Sequence, residues 1–596
     1  MELLNLDGVI EKGVFEIPSY QRGYAWQDRQ LKDFWNDLEH VSKLGDKFHY
    51  MHSLTLRELE NEFESSAFEI IDGQQRLATS LILLGLLVKT TQNKDPKYSL
   101  INLEPILSYK YYGLNEAFRA ITEEEKDLER FQTSFYAKNL IDAYAFFKEK
   151  ISDTPVETLE KMFNDLIKKM LFSVVELNDN RIDPFSSFET INNRGKDLST
   201  LELFKNRLHF VAHKICDEGD LENLQQEIND TYTRIYHDLR FFEDTHLGDF
   251  LKYFVAYYYG EKKDFKERLL NTAFDAHKKY DDLYDEYEKI NDLLLYLSYS
   301  SKVWYFLHTL DDEELRIEIT PKMCGLLDKM RRLNALSDNA FLPLLLSLLT
   351  IQLAVRSGSE RHYTTQELEG LLEYLERFGF LIYGVAGKNT AKNEWIELAF
   401  QAFRAYRSWE DRITIEDLPT LEKNFFKGEH SGLELLEEYI HSKKNAEKWY
   451  QWGKVLNYLL YEYELHHNPE TTLNFDSSLE SIEHILPQKP DQGYSAKEKS
   501  WAKNPHIVHA LGNLLLIPKN ANSSLSNKPF DEKRKQYLKG SYSEKEVAKN
   551  ASFGVDQIKE RSEKLLDFLI AHYRIAELVN ESAIKAFKNA SLKDIK

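Results

Sequence analysis

The longest uniform stretch of this 596-residue sequence has a helical pattern and spans residues 211–465. It contains few Gly or Pro, and its apolar residues recur at helical spacing, as in LLLYLSYSSKVWYFLHTL and AFLPLLLSLLTIQLAV. Its many aromatic side chains are predicted to form a core, since no motif in the region has a chemical interpretation. The pattern therefore predicts an all-helical middle region, and the candidate functional residues are expected in the two flanking segments.

Both flanking segments mix strand-like and helical patterns. Residues 1–210 alternate the β-like runs YMHSLTL, FEII and MLFSVVEL with amphipathic helices, which predicts an α/β or α+β unit. The segment from residue 466 opens with the polar stretch HHNPETTLNFDSS, a predicted linker, and then returns to mixed structure. A chain of this length accommodates about three or four domains of roughly 150 residues. We predict a multidomain α+β protein with domains at 1–210, 211–465 and 466–596.

Charge and cysteine content narrow the class of protein. The net charge of −21 opposes contact with a polyanion, but residues 481–540 hold ten Lys or Arg against five Asp or Glu, so this segment can meet a phosphate backbone. The two cysteines, Cys216 and Cys324, are far apart, which excludes a cysteine zinc site and argues against a disulfide framework. The sequence has no signal-like start and no apolar run of membrane length. We expect a soluble, cytoplasmic protein with no membrane partner.

The first candidate site is the polar, aromatic stretch SYQRGYAW, which precedes a helix predicted to begin at Asp28. Side chains in such a loop can hold a planar base or an anion. A second interpretation is that the aromatic rings of Tyr24 and Trp26 only anchor the loop by packing. The candidate binding residues in this stretch are Tyr20, Gln21, Arg22, Tyr24 and Trp26.

The second candidate site is the turn in FEIIDGQQRLATSLILLGLLV. FEII is predicted to be a buried strand, Asp72 and Gly73 to form a turn, and a long apolar helix to start near Gln75. A strand, a glycine turn and a helix N-terminus form an anion site, because unpaired N–H groups and the helix dipole point at the turn. Arg76 is then placed to clamp a phosphate, and Asp72 to hold Mg²⁺ or to orient a water. Packing alone also explains many Asp-Gly turns.

A third polar cluster lies in FETINNRGKDLSTLELFKNRL, residues 188–208. Residues 192–195, Asn-Asn-Arg-Gly, are predicted to form a polar turn. Ser199 or Thr200 is predicted to cap the helix that follows, with Glu202 nearby. An ordinary capped helix after a loop is the alternative interpretation.

Together, the stretches IPSYQRGYAW, IIDGQQRLATSLILL and FETINNRGKDLS resemble, in the same order, the N-terminal domain of the GmrSD-type modification-dependent restriction proteins. That domain is similar to the ParB/sulfiredoxin-like nucleotide-binding fold, and the resemblance covers roughly residues 10–210. It implies a ParB-like α/β domain that binds and hydrolyses a nucleoside triphosphate. The residues to which the resemblance assigns this nucleotide are Asp72, Gly73, Gln74, Gln75 and Arg76, with Tyr20, Gln21 and Arg22 facing the same pocket.

The C-terminal segment carries a fourth motif, SIEHILPQKP, at residues 481–490. Glu483 and His484 lie side by side in an apolar run, and two ionisable groups are costly in a plain core. The later stretch HALGNLLLIPKNANSSLSNKPFDEKRKQYLKG is predicted to complete a hairpin near Pro518 and to continue as a polar turn and a helix that ends at Gly540. A reason other than packing is therefore expected for the acid and the histidine.

This segment resembles the ββα-metal, or HNH, nuclease core, and the nuclease half of the same GmrSD family. The resemblance rests on the Glu-His-Ile-Leu-Pro-Gln run and on two later asparagines, Asn513 and Asn522, nine residues apart. It implies that His484 is the general base and that Asn513 braces its loop. It also implies that Glu483 and Asn522 bind Mg²⁺ or another divalent cation.

The other basic residues near this motif are predicted to play supporting roles. Lys528, Lys533 and Arg534 are expected to contact flanking phosphates. His506 and His509 lie in an inserted loop and are predicted to be structural or solvent-facing.

Joined, the two ends predict a nucleoside-triphosphate-dependent type IV restriction endonuclease for anti-phage defence. The N-terminal domain is expected to sense a modified base or a phosphorothioate backbone in double-stranded DNA, and the HNH domain to cut it. A homodimer is the candidate assembly. The helical middle is expected to couple the two. The alternative is a nucleotide-gated DNA-binding switch or clamp that does not cut.

Overall fold

The structure is a computed structural model. It describes residues 2–44, 47–59, 66–91, 106–110, 112–123, 125–177, 198–240, 242, 244–275, 278–280, 282–311, 315, 319–355, 363–441, 449–473, 479–490 and 493–595. The chain divides into two compact units, residues 1–306 with 313–315, and residues 307–312 with 316–596. The predicted domain boundaries at 210 and 465 remain a prediction.

The first unit is built on a mixed six-stranded sheet. Its strands in chain order are β1 Glu2–Asn5, β2 Val14–Ile17, β3 His49–Leu59, β4 Ala67–Asp72, β5 Leu107–Tyr109 and β6 Met170–Glu176. They lie in the order β1-β6-β3-β4-β2-β5. The central strand β4 pairs antiparallel with β3 and parallel with β2. The three strands predicted from YMHSLTL, FEII and MLFSVVEL are confirmed.

Helices follow or connect these strands. The helix Gln74–Thr90 is apolar on nearly every side, and it packs against the helices Phe135–Ser152 and Val156–Lys169, which explains why almost all of it is buried. The longer helices of this unit are Leu6–Lys12, Asp28–Leu44, Gln74–Thr90, Tyr112–Thr122, Phe135–Ser152, Val156–Lys169, Thr200–Ile215, Glu218–Asp238 and Asp244–Tyr259. Short helical segments are Glu129–Phe131, Phe265–Glu267 and Arg268–Ala273.

The described part of the predicted middle region consists of helices and the loops that connect them, and it contains no strand. Its helices beyond residue 280 are Leu283–Thr309, Pro321–Ser337, Leu342–Ala354, Thr365–Phe378, Gly379–Val385, Lys392–Ser408, Ile415–Asp417, Leu421–Phe425, Gly432–His441, Tyr450–Trp452 and Lys454–His467. The π-helical turn Gly379–Val385 continues directly from Thr365–Phe378 and is entirely buried. No helix among the described residues is long and apolar enough to cross a membrane.

The C-terminal part contains two antiparallel strands, β7 Glu480–His484 and β8 Leu514–Pro518. Its helices are Ala496–Ala502, Pro505–Val508, Leu511–Asn513, Lys519–Leu525, Phe530–Tyr537, Tyr542–Ala548, Val555–His572, Ile575–Glu577 and Glu581–Leu592. The hairpin ending near Pro518 is confirmed. The polar turn predicted after it is wrong: Pro518 caps a short helix, Lys519–Leu525, because its fixed φ of −57° suits a helix start and Leu525 anchors the turn in the core.

Candidate functional site

The turn after β4 leads directly into the N-terminus of a long helix. Gly73 is the N-cap of the helix Gln74–Thr90 and has φ +101°, so no side chain caps the first N–H groups. A Cβ at this position would lie 2.9 Å from the Leu54 side chain and 3.0 Å from the Ser53 carbonyl oxygen. Only glycine fits this turn without strain, and within the described residues no side chain caps the helix N-terminus.

The charged residues of this turn pair with each other. Arg76 forms a salt bridge of 3.2 Å with Asp72, and both side chains keep about a fifth of their surface exposed, 22% and 21%. Arg76 also donates to the Ser53 carbonyl at 2.7 Å, and the Ser53 hydroxyl donates to Asp72 at 3.2 Å. The buried Nε of Arg76 has no hydrogen-bond partner among the described residues. The guanidinium is therefore held at the turn through Nη2, while its buried Nε–H is left without a hydrogen bond among the described residues.

The two glutamines of the motif tie the turn to the SYQRGYAW loop. Gln75 accepts from the Ala25 backbone N–H at 2.8 Å and donates to the Gly23 carbonyl at 2.9 Å. Gln74 donates to the Arg22 carbonyl at 3.0 Å, while its buried Oε1 has no partner among the described residues. Both side chains are buried, so their observed role is to join two candidate motifs.

The SYQRGYAW loop buries the side chains of Tyr20, Gln21 and Tyr24. Tyr24 is fully buried and its hydroxyl lies 2.7 Å from that of Thr79, so it packs as an anchor. Gln21 donates to the Ile71 carbonyl at 3.1 Å and is also buried. Tyr20 packs on Ile71 and on partly buried Leu198. The predicted polar turn at residues 192–195 lies outside the described residues.

The helix after that turn begins as predicted. Ser199 accepts from the Glu202 N–H at 3.2 Å, and the Glu202 carboxylate accepts from the Ser199 N–H at 2.6 Å. This capping box confirms the predicted helix start.

A polar cavity of about 700 Å³ adjoins Tyr20 in the first unit. Part of its wall is a row of charged residues across three strands, since Glu69 of β4 lies opposite both Glu16 of β2 and Arg57 of β3. Arg57 pairs with Glu69 at 2.5 Å, and Lys110 pairs with Glu16 at 2.8 Å. Burial raises the pKa of Glu69, although the nearby Arg57 opposes the shift. The cavity therefore presents paired charges and hydrogen-bonding groups.

In the C-terminal part, Asn513 braces the loop that follows His484. Its Oδ1 accepts from the Leu486 N–H at 2.7 Å, and its Nδ2 donates to the carbonyls of Leu486 and Val508 at 2.9 and 2.6 Å. The Asn513 carbonyl accepts from the Ile485 N–H at 3.0 Å. These contacts agree with the predicted bracing role of a fully buried Asn513.

The helix Val555–His572 holds the same loop from behind. The Gly512 N–H donates to Ser562 Oγ at 2.8 Å, and Arg561 donates to the carbonyls of Gly512 and Leu514 at 2.9 and 2.7 Å. A Cβ on Gly512 would lie 2.0 Å from the Ile558 carbonyl oxygen. Glycine is required here by close approach of two backbones, with no special φ.

His484 ends β7 in a cluster of rings. Its Nε2 lies 3.0 Å from Nδ1 of His509, and its side chain is 7% exposed. The Tyr450 ring centroid is 4.7 Å from that of His484, and Gln488 Nε2 is 3.4 Å from each His484 ring nitrogen. Burial, with nearby His509 and Lys533, lowers the pKa of His484 to about 3. The imidazole is therefore neutral at pH 7.

Glu483 is paired with a buried lysine. Lys533 Nζ donates to Glu483 Oε1 at 2.5 Å and to the His484 carbonyl at 2.8 Å, and the Tyr537 hydroxyl donates to the same Oε1 at 3.1 Å. Lys533 is 0% exposed, so the prediction that it contacts phosphate is wrong. Strand β7 places the Glu483 carboxylate in the interior, and the Lys533 ammonium is buried there because it pairs with that carboxylate. Burial raises the pKa of Glu483 and lowers that of Lys533.

These contacts do not fit a metal ion at Glu483 in this arrangement, because the lysine ammonium takes the position that a cation would take. Among the described residues there is also no group of three or more His, Cys, Asp or Glu side chains placed to hold a metal. Metal binding by Glu483 and Asn522 remains a prediction. Asn522 donates to Ser481 Oγ at 2.8 Å and to the Ile482 carbonyl at 3.1 Å.

The remaining predicted phosphate contacts have different surroundings. Lys528 is exposed. Arg534 is half-buried and donates to the Ala548 carbonyl at 2.8 Å. Contact of either side chain with phosphate remains a prediction.

Comparison with known families matches both ends of the chain. Residues 3–209 match the GmrSD restriction endonuclease N-terminal domain, and residues 436–568 match the GmrSD restriction endonuclease C-terminal domain. The chain belongs to the GmrSD restriction endonuclease family. No curated protein matches it significantly. The Gly73 turn lies in the region matched to the GmrSD N-terminal domain, and the His484 cluster lies in that matched to the GmrSD C-terminal domain.

Three residues around His484 and its loop lie outside the set of candidate site residues predicted from the sequence. His509 was expected to be structural or solvent-facing, and Tyr450 and Arg561 were not singled out. His506, in contrast, is half-buried and lies 3.8 Å from Asp594. The available signal was the pair of histidines in one inserted loop, but spacing alone does not say which of them turns inward.

Proposed function

We propose that this GmrSD family member is an endonuclease that cuts modified DNA, with His484 as its general base. The observation that carries the proposal is a neutral imidazole at the end of β7, fixed by a histidine, a tyrosine and a braced loop. Family membership supports the modification-dependent endonuclease role. The roles of nucleotide, metal and DNA modification are further parts of the proposal.

In the proposed reaction, His484 accepts a proton from a water molecule whose oxygen attacks the phosphorus. A P–O bond to that oxygen forms while the P–O bond to the leaving sugar oxygen breaks, and the leaving oxygen takes a proton from solvent. Burial keeps His484 unprotonated before the reaction. The negative phosphate, once bound, favours the imidazolium that the proton transfer produces.

We also propose Mg²⁺ dependence, because a metal ion offsets charge on the phosphate in many phosphodiesterases. The proposed proton transfer does not involve the ion, since Lys533 holds the carboxylate of Glu483. The prediction is tested by comparing cleavage in Mg²⁺ with cleavage in EDTA.

The Gly73 turn supports the binding of a nucleoside triphosphate through its phosphates. The helix N-terminus is uncapped, and Arg76 stands one turn into it with an unused Nε donor. Asp72, Gly73 and Arg76 would then face the ligand. Gln74 and Gln75 would support the site by holding the SYQRGYAW loop against it.

The cavity beside Tyr20 supports recognition of a hydroxyl-rich base modification over a phosphorothioate. Its carboxylates, amides and Arg57 can hydrogen-bond to hydroxyl groups, whereas a sulfur-bearing phosphate favours an apolar, aromatic-lined pocket. A volume of about 700 Å³ lies in the usual range of ligand pockets and suits a base turned out of the duplex.

The decisive experiment is a cleavage assay on DNA with glucosylated hydroxymethylcytosine, on phosphorothioate DNA and on matched unmodified DNA. Each is incubated with wild type or His484→Ala, in Mg²⁺ or EDTA, with and without each nucleoside triphosphate. We expect cleavage of the glucosylated DNA, and a loss of about 100-fold or more in His484→Ala. His506→Ala, a half-buried histidine on the same insertion, is the matched control and should cut normally.

Two results would overturn the proposal. Undiminished cleavage by His484→Ala would remove the assigned base, and equal cleavage of unmodified DNA would remove the modification requirement. Preference for phosphorothioate DNA would reject the role given to the cavity while leaving the nuclease intact. Sedimentation of the same sample measures whether the predicted homodimer forms.

One observation favours the second candidate, a nucleotide-gated DNA-binding switch without cleavage. The Glu483 carboxylate is neutralised by Lys533, as in a fold that has no need of this acid for chemistry. This candidate predicts DNA binding that changes with nucleotide, with no cut product on any substrate.

A further inference from the structure

His509 is the histidine whose ring nitrogen meets the His484 ring directly. The two residues are 25 positions apart, and the Nε2 to Nδ1 distance of 3.0 Å is that of a hydrogen bond. Both side chains are buried, at 7% exposure for His484 and 6% for His509. One proton lies between the two facing nitrogens, because a hydrogen bond requires one donor and one acceptor nitrogen.

The surroundings fix the His509 ring in this position. The ring stacks on Tyr450 at a centroid distance of 5.7 Å and an interplanar angle of 26°, while it meets His484 nearly edge-on at 80°. His509 follows Val508, whose carbonyl accepts from the side chain of Asn513 at 2.6 Å. Asn513 thus braces the backbone on both sides of the histidine pair, since it also bonds to Leu486.

We propose that His509 is a positioning residue that selects the tautomer of His484. This inference rests on the proposed function, because it assigns His509 a role through the general base. In this arrangement Nε2 of His484 carries the proton and donates a hydrogen bond to Nδ1 of His509. The lone pair of His484 therefore lies on its Nδ1, which can take the proton of the attacking water. The reverse tautomer would place the His484 proton on Nδ1 and leave no basic nitrogen there.

The same hydrogen bond supports the charged product of the proton transfer. When Nδ1 of His484 takes a proton from water, Nε2–H continues to donate to Nδ1 of His509. A donor at position 509 would lack this effect, and an apolar ring would leave the buried Nε2–H without that acceptor. The acceptor atom, more than the ring, is therefore the feature that the site requires.

Two substitutions separate the acceptor from the ring. His509→Asn supplies an amide oxygen near the position of Nδ1 but removes the ring that stacks on Tyr450. His509→Phe keeps an aromatic ring for stacking but removes the acceptor. His506→Ala on the same inserted loop is the control.

The first measurement is steady-state cleavage of modified DNA. We expect His509→Phe to lower kcat by about 10- to 100-fold with KM within about 3-fold of wild type, as for the loss of a residue that orients a catalytic histidine. His509→Asn should restore most of kcat. Equal activity of His509→Phe and wild type would overturn the proposal, and so would an equal loss in both variants at unchanged thermal stability.

The second measurement does not depend on cleavage. Nitrogen-15 NMR of histidine-labelled full-length protein reports the tautomer of His484, assigned by comparison with His484→Ala. We expect the Nε2–H tautomer in wild type and in His509→Asn, and a mixture in His509→Phe. If wild-type DNA cleavage fails while the tautomer depends on residue 509, only the nuclease proposal fails. If the tautomer is the same in all three proteins, the positioning role fails.

Discussion

Each matched end of the chain contains a carboxylate and a basic side chain in contact, but the two pairs differ in burial. Asp72 and Arg76 lie 3.2 Å apart with about a fifth of each side chain exposed. Glu483 and Lys533 lie 2.5 Å apart with 5% and 0% exposed. The first pair stays accessible to a ligand, whereas the second is part of the interior.

Burial decides what each pair contributes. A partly exposed pair is screened by water and usually adds about 0–1 kcal/mol to stability. A buried pair costs desolvation when it forms, and removing one partner leaves an uncompensated charge that costs about 3–5 kcal/mol. Substitution in the Asp72 pair is therefore expected to change the stability of the fold little, whereas substitution in the Glu483 pair is expected to destabilise it strongly.

Removal of the buried ammonium should have the largest effect. Lys533→Met leaves Glu483 charged and deprives the His484 carbonyl of a donor, so we expect a loss of about 3–5 kcal/mol. The measurement is the thermal transition of the second unit, which should fall by more than about 6 °C. The double variant Glu483→Gln with Lys533→Met should recover part of the loss, since it removes the unpaired charge. A loss no larger than that of an exposed pair would contradict this account of burial.

Two glycines extend the comparison to the backbone. A Cβ on Gly512 would meet the Ile558 carbonyl oxygen at 2.0 Å, which only a backbone shift can relieve. A Cβ on Gly73 would meet a flexible Leu54 side chain at 2.9 Å and the Ser53 carbonyl at 3.0 Å, in a left-handed backbone.

We expect Gly512→Ala to cost about 3 kcal/mol and Gly73→Ala about 1–2 kcal/mol, measured by thermal unfolding. Gly512→Ala should also reduce DNA cleavage, because Gly512 precedes Asn513 in the loop that braces His484. Gly387, whose Cβ would meet nothing within 4 Å, is a control for the effect of positive φ alone. A larger loss of stability in Gly73→Ala than in Gly512→Ala would show that the positive φ matters more than the close approach of backbone atoms.

The sequence predicted the local elements because local patterns determine them. The buried run FEII, the Ser199 capping box and the strand ending at Pro518 each depend on residues within a few positions. The prediction that Lys533 contacts phosphate is wrong because the polar sequence around it indicates an exposed side chain. Its burial depends on contact with Glu483, 50 residues earlier, which the local pattern does not contain. His509 was assigned no active role for the same reason: its partner lies across a strand pair and a loop.

A third acid, Glu376, is buried like Glu483, but among the described residues no cation forms an ion pair with it. Glu376 accepts from the hydroxyls of Tyr458 and Tyr573 at 2.8 and 3.3 Å. Burial, together with the charge of Glu462, raises the pKa of Glu376 from 4.5 to about 7. The folded state therefore holds a proton that the unfolded state has released between these pH values, so this group's contribution to stability falls as pH rises from 4.5 to 7.

Glu376→Gln should remove that pH dependence and keep an oxygen that accepts from both tyrosines. We expect the variant to be more stable than wild type at pH 8 by about 1–3 kcal/mol, and nearly equal to it at pH 5. Thermal unfolding of both proteins across this pH range is the measurement. A variant less stable than wild type at pH 8 would mean that the ionised carboxylate is stabilising.

The smallest effect on stability is expected at the exposed end of the comparison. Arg76→Met removes the 3.2 Å pair with Asp72 and one bond to the Ser53 carbonyl, so thermal unfolding should change by no more than about 1 kcal/mol. Lys138→Met, which removes the more exposed pair with Asp142 in the same unit, is the matched control and should behave alike.

The two variants should differ in nucleotide binding. A guanidinium that clamps phosphate contributes a charge-assisted bond of about 1.5–3 kcal/mol, which corresponds to a rise in Kd of about 10-fold or more in Arg76→Met. Calorimetric titration with non-hydrolysable ATP and GTP analogues measures it, and Lys138→Met should bind as wild type does. If Arg76→Met instead binds both analogues normally and is destabilised by several kcal/mol, the pair at the Gly73 turn has a structural role like that of the Glu483 pair, and it does not bind nucleotide.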